Sequence, residues 1–175
     1  HMPGGLFTDH VFTTLKERDI LRFEGPQGSF FLREDSKKPM VLLASGTGFA
    51  PIKAIVEQAL HDKSQRPMTL YWGGRRPKDL YMHALCEQWA REIPHFNYVP
   101  VISHATVDDQ WQGRSGFVHK AVMEDLPDMS AYQVYACGTP VMVEAAQAEF
   151  SALCQLPREE FYADAFTSEA DLAQG

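Results

Sequence analysis

The sequence predicts an α/β fold: a five-stranded parallel sheet with helices on both faces. Three observations carry this prediction. From Pro39 onward, short apolar runs alternate with stretches of helical periodicity. Two of those runs, Met40-Val41-Leu42-Leu43-Ala44 and Gln133-Val134-Tyr135-Ala136-Cys137, end in small glycine-containing turns followed by a proline. No internal repeat or low-complexity tract interrupts the pattern.

The first 36 residues have a different texture. Leu6 to Lys16 places Phe7, Val11, Phe12 and Leu15 at helical spacing, with Thr8 or Asp9 as the expected cap. Residues 18–33 read as two short strands joined by a turn at Gly25-Pro26-Gln27-Gly28. One helix and one hairpin bury too little to form a domain. Residues 1–36 are therefore expected to be the tail end of an antiparallel β domain. Residues 37–167 hold the alternating pattern: strands over 40–44, 68–72, 97–102, 133–137 and 161–163, helices over 51–61, 79–92, 116–125 and 140–154. Residues 168–175 are small and polar, as expected of a flexible tail.

Composition narrows the function classes. A chain of 175 residues with 45% hydrophobic and 22% charged content has the make-up of one globular domain. A net charge of −7 argues against a nucleic-acid partner, which favours clustered positive charge. Cys86, Cys137 and Cys154 are an odd set without paired spacing, which fits a reducing cytoplasmic setting. No apolar run reaches the roughly 18–20 residues of a membrane span.

The stretch from Met40 to Ile52 carries the strongest chemical signal. A strand ends in Ser45-Gly46-Thr47-Gly48, and a helix is expected to start at Pro51. Backbone N–H groups at the positive end of a helix dipole suit a pyrophosphate, and glycine lets it approach closely. The spacing matches neither GxGxxG nor GxxxxGK[ST]. The second turn, Cys137-Gly138-Thr139-Pro140, repeats the logic with a cysteine at the strand end. Ligands of open α/β sheets bind beyond the carboxyl ends of the strands, so the two turns are expected on one rim. One would hold the diphosphate, the other the reacting ring of a dinucleotide. An inert buried thiol is the competing reading of Cys137. No GxSxG elbow or paired base supports a hydrolase or thiol enzyme.

In order, GTGFAPI, YWGGRRPKDLY, GRSGFVHKAV, YACGTPVMV and FYADAF resemble the NAD(P)-binding half of the ferredoxin–NADP reductase superfamily. The pattern is most similar to reductase components of oxygenases and to CDP-6-deoxy-glucoseen reductase-like proteins. The resemblance implies that Gly46, Thr47, Gly48 and Pro51 form the pyrophosphate loop. It places Cys137, Gly138, Thr139 and Pro140 beside the nicotinamide, and Asp164 and Phe166 against a flavin. Thr47 has a second reading as a helix cap, and Asp164 as a solvated loop carboxylate.

Pro3-Gly4-Gly5-Leu6-Phe7-Thr8 resembles the family's later flavin element, so Gly5 and Thr8 are candidate FAD contacts. The RxYS-type flavin motif of the preceding barrel does not occur here. The chain is thus expected to begin inside the flavin domain, to lack most of the FAD site and to be inactive alone. Gly74, Arg75 and Arg76 follow the second strand, where the adenosine ribose is read. Two arginines suit NADPH by charge, whereas the pattern WGGRxPxDLY resembles NADH users, with Asp79 and Tyr81 near the adenosine. Arg114 is a further candidate contact, with a plain loop arginine as its alternative.

The implied activity passes a hydride from NAD(P)H to FAD and then electrons to a ferredoxin or oxygenase component. Three cysteines cannot supply the four ligands of a two-iron cluster, so any cluster is expected on another domain or a partner. The alternative reading is a non-catalytic dinucleotide-binding regulatory module.

Overall fold

The computed structural model describes residues 4–25 and 27–166. Its centre is a parallel sheet of six strands. These are β1 (Met40–Ser45), β2 (Met68–Gly74), β3 (Phe96–Ile102), β4 (Arg114–Ser115), β5 (Gln133–Gly138) and β6 (Phe161–Ala165). The spatial order is β4-β3-β2-β1-β5-β6, with β1 and β2 in register from Met40↔Met68 and β1 and β5 from Met40↔Gln133. The chain builds outward from β1 through β4 and then crosses to the opposite side of β1 for β5. The carboxyl ends of β1 and β5 therefore flank the crevice where the strand order reverses.

Side-chain alternation sends each strand's residues into two cores. Leu42, Ala44, Leu70, Trp72, Tyr135 and Cys137 face α2 (Phe49–His61) and α3 (His83–Glu92). Val41, Leu43, Tyr71, Val134 and Ala136 face α4 (Val118–Asp125) and α5 (Pro140–Leu153). Burial on both faces explains why β1 and β5 read as unbroken apolar runs.

Several expectations are corrected. The sheet has six strands rather than five, because Arg114 and Ser115 pair with Val101 and Ile102. Two residues without an apolar run leave no trace in periodicity. Residues 18–33 form no strand among those described; Ile20 and Phe23 stand exposed with no sheet beside them to supply a ladder. Pro26 of the expected turn lies outside the described residues, as does the tail over 167–175.

The first helix, α1, ends at Thr13 rather than Lys16, and Gly5, not Thr8 or Asp9, occupies its N-cap. Helix α2 begins at Phe49, so Pro51 sits within its first turn instead of opening it. The expected 79–92 helix splits into a 3-10 turn, Pro77–Asp79, and α3 from His83. The Asp79 carboxylate closes the 3-10 turn by accepting the Arg75 and Arg76 backbone N–H groups at 3.0 and 2.8 Å, and Leu80 and Met82 then leave helical geometry before α3.

Candidate functional site: two turns at the sheet's switch point

Each turn is shaped by what its neighbour leaves room for. After β1 the chain makes one 3-10 turn, Gly46–Gly48, and enters α2. A Cβ on Gly48 would overlap the Cys137 carbonyl and lie 2.7 Å from Gly138 Cα. A Cβ on Gly138, whose φ is +145°, would overlap the Ser45 hydroxyl. Both glycines are thus required by contact between the turns. A hydrogen bond from the Thr139 N–H to Ser45 Oγ, at 3.1 Å, closes the contact.

Below the first turn lies an aromatic floor. The Trp72 indole N–H donates to the Gly46 carbonyl at 3.0 Å, and Phe49 stacks on Trp72 with centroids 4.0 Å apart. A trans peptide points its N–H opposite its carbonyl. The inward Gly46 carbonyl therefore aims the Thr47 N–H outward, toward the rim. The Tyr81 ring meets Trp72 edge-on at 5.1 Å and remains half exposed.

The rim suits an anion. No side chain caps α2 at Gly48 or α5 at Thr139, so the positive ends of both helix dipoles face the rim uncovered by a side chain, although the Phe49 N–H donates to the Gly46 and Thr47 carbonyls and the Met142 and Val143 N–H groups donate to the Thr139 carbonyl. Thr47 is exposed and does not cap α2, which removes its structural reading. The space above Gly46 is open, since a Cβ there would meet no atom within 4 Å. These features fit the diphosphate of a dinucleotide.

Cys137 is wholly buried among Ala44, Phe49, Trp72 and Tyr135. Burial, and then the charge of Asp164, pushes its thiol up to about 12, so it is not a thiolate nucleophile. What the strand end offers a ligand is its backbone edge and the absence of bulk. Asp164 pairs with Cys137 across β5 and β6 and is half buried. The Phe166 N–H donates to the Gly138 carbonyl at 2.8 Å, placing its part-exposed ring on the same rim.

The structure thus brings Gly46, Thr47, Gly48, Pro51, Cys137, Gly138, Thr139, Pro140, Asp164 and Phe166 to the carboxyl ends of three neighbouring strands, β1, β5 and β6. Gly74, Arg75 and Arg76 lie at the end of β2, one strand away, where Ser45 pairs with Gly73. Arg114 turns elsewhere: its guanidinium binds Glu124 at 2.6 Å and Asp125 at 2.5 Å on the α4 face. Gly5 stands at the N-cap of α1 and Thr8 on it, a helix that buries none of its residues, with the Thr8 hydroxyl donating to the Gly5 carbonyl at 3.2 Å.

Two residues of the site escape motif reading. Ser45 looks like an ordinary strand end. Asp109 stands in Thr106-Val107-Asp108-Asp109, whose capping-box spacing was a usable signal.

The model of the oxidoreductase NAD-binding domain family matches residues 42–148. The chain belongs to that family, within the ferredoxin reductase superfamily. The Gly46–Gly48 turn and the Cys137 turn both fall inside the matched span. Over 163 residues it is 44% identical to the CDP-6-deoxy-L-threo-D-glycero-4-hexulose-3-dehydrase reductase of Yersinia pestis, covering 93% of this chain and 48% of that one. It is 33% identical over 168 residues to the terephthalate 1,2-dioxygenase reductase component 2 of Comamonas sp, covering 96% and 49%. Among solved structures it is similar to the Amycolatopsis cytochrome P450 reductase GcoB, with a TM-score of 0.83, 35% identity and coverage of 96% and 50%. The chain spans about half the length of the curated relatives it matches.

Proposed function

We propose that this chain is the NAD(P)H-binding part of a flavin-dependent reductase that supplies electrons to an iron–sulfur protein or an oxygenase. The carrying observation is the contact of the two uncapped turns at the switch point, locked by the Thr139 N–H on Ser45. Reductases among the relatives, each about twice this chain's length, support a flavin domain elsewhere in the protein. We assign residues 1–36 to that domain's end and residues 37–167 to the dinucleotide domain.

The Gly46–Gly48 turn and the start of α2 bind the diphosphate, with the Thr47 hydroxyl as an added donor. The Cys137–Gly138 edge lets the nicotinamide lie flat at the strand end, and Asp164 and Phe166 bound the same pocket on the β6 side. NAD(P)H supplies the hydride and FAD converts it into single electrons when both are bound. The chain's residues position the ring and exclude bulk; none of them is consumed.

The test has two arms. Calorimetric titration of this chain with NADH and NADPH is expected to give saturable binding of at least one, with amide shifts at 45–51 and 137–140. The complete flavoprotein is expected to bleach its flavin absorbance when mixed anaerobically with that nicotinamide, and to pass electrons to a ferredoxin or oxygenase component. Absence of binding at millimolar nicotinamide overturns the site. Binding with a flavin that stays oxidised overturns the reductase reading in favour of a regulatory module.

A further inference from the structure

We propose that Asp109 sets the choice of nicotinamide cofactor by holding Arg76 away from the adenosine ribose, so that the site takes NADH and disfavours NADPH. The inference rests on the dinucleotide reading above.

NADPH differs from NADH by a phosphate on the adenosine ribose. In doubly wound sheets the ribose is read at the end of the strand after the diphosphate loop, here β2, and an arginine there accommodates the phosphate. Such recognition needs a guanidinium with its donor fork free. The sequence supplies Arg75 and Arg76 at that point, which on charge alone favours NADPH.

The structure spends one of them. Arg76 Nε donates to Asp109 Oδ2 at 2.6 Å and Nη2 to Asp109 Oδ1 at 2.9 Å. The same Nη2 reaches the Thr106 hydroxyl at 2.8 Å. Asp109 is itself fixed, accepting the Thr106 N–H at 2.8 Å, and its side chain is only 15% exposed. The Arg76 guanidinium and the Thr106 N–H hold its carboxyl down at about 2, so it stays ionised at any working pH.

Exposed ion pairs are generally weak, but bidentate pairs tied into a network are the exception. Asp79 and Asp108 add two more carboxylates around Arg76. A ribose phosphate would meet three carboxylates about one committed arginine. Arg75 remains exposed, its side chain without a hydrogen-bond partner among the described residues, and alone cannot offset them. A ribose hydroxyl carries no such penalty.

Asp109→Asn removes the charge while its amide oxygen still accepts the Thr106 N–H. Dissociation constants for NADH and NADPH are measured by calorimetry on wild type, Asp109→Asn, Thr106→Ala and Asp109→Asn/Arg76→Gln. Wild type is expected to favour NADH by roughly tenfold or more, the scale of one charge-assisted bond. Asp109→Asn should tighten NADPH by roughly tenfold with NADH little changed, and Thr106→Ala should shift the ratio less, in the same direction. Arg76→Gln in the Asp109→Asn background should erase the gain. A ratio unmoved by Asp109→Asn, or a gain that survives loss of Arg76, overturns the lock while leaving the dinucleotide site standing. A wild type that binds both nucleotides equally also overturns only the lock, whereas one that binds neither removes the site and the lock together.

Discussion

Ser45 and Thr139, 94 residues apart in the chain, meet at the switch point, where the Thr139 N–H donates to Ser45 Oγ at 3.1 Å. This bond closes the contact between the Gly46–Gly48 turn and the turn at Gly138. Thr139 is exposed, so water can replace the lost acceptor in Ser45→Ala. The folding cost should be modest, about 0.5–1.5 kcal/mol. Nucleotide affinity should also fall, roughly tenfold, because the turns lose their relative position. Thermal unfolding and titration of the one variant separate the two effects. An affinity equal to wild type means that another contact spaces the turns.

The two glycines of the first turn should respond differently to alanine. A methyl on Gly48 has nowhere to go but into the Cys137 carbonyl, which forces α2 away from β5. Overpacking of that kind costs about 1–3 kcal/mol. A methyl on Gly46 meets nothing within 4 Å, and the cost is that of a left-handed φ of +52°, about 1 kcal/mol. Denaturant unfolding should rank Gly48→Ala below Gly46→Ala in stability. Equal midpoints would show that the rim yields to the added group.

How much of this was legible follows from where the information sits. Strands β1, β2 and β5 and helix α5 were readable because burial on both faces or a Pro at the first helical position writes itself locally. The β4 strand was not, since its two residues owe their conformation to Val101 and Ile102. Residues 18–33 carry the alternation of strands, but a strand also needs an edge to pair with; Leu32 packs on the face of the sheet and the Arg33 N–H donates to the Tyr135 hydroxyl, with no strand edge paired among the described residues. At the site, glycines and prolines announced the turns. Ser45 could not announce itself, and the capping-box spacing at Asp109 marks a turn but not its partner, because each acts on a residue distant in sequence, Thr139 and Arg76. Arg114 illustrates the converse: its position in the motif suggested a ligand, and its guanidinium is taken by Glu124 and Asp125.

The buried thiols should make the fold sensitive to alkali. Burial pushes both Cys86 and Cys137 up to about 12. An unfolded thiol ionises near 8.5, so between about pH 9 and 12 the unfolded state releases protons that the folded state keeps. Stability must therefore fall as pH rises through that window. Cys86→Ala and Cys137→Ala should each flatten the decline measured by thermal unfolding from pH 8 to 11. Native protein should also leave both thiols unreactive toward a disulfide reagent at pH 8, with reaction only on denaturation. Rapid labelling of native Cys137 would contradict its burial.

His119 should govern part of the acid limb. It is buried where α4 packs on α5, with Nε2 3.4 Å from Glu149, while Lys120 also binds Glu149 at 2.7 Å. Burial lowers its pKa; Glu149 works against that shift and Lys120 adds to it. The unfolded histidine takes up its proton near pH 6.5, before the folded one does, so stability falls as pH drops from about 7 toward 5. His119→Gln should flatten that part of the curve, measured against wild type so that carboxylate titration cancels. Glu149→Gln removes the one neighbour that favours the proton on His119, lowering its folded pKa further, and should steepen the same limb. Parallel curves for wild type and His119→Gln would show that the imidazole gains its proton without cost, through a local opening of the α4–α5 contact.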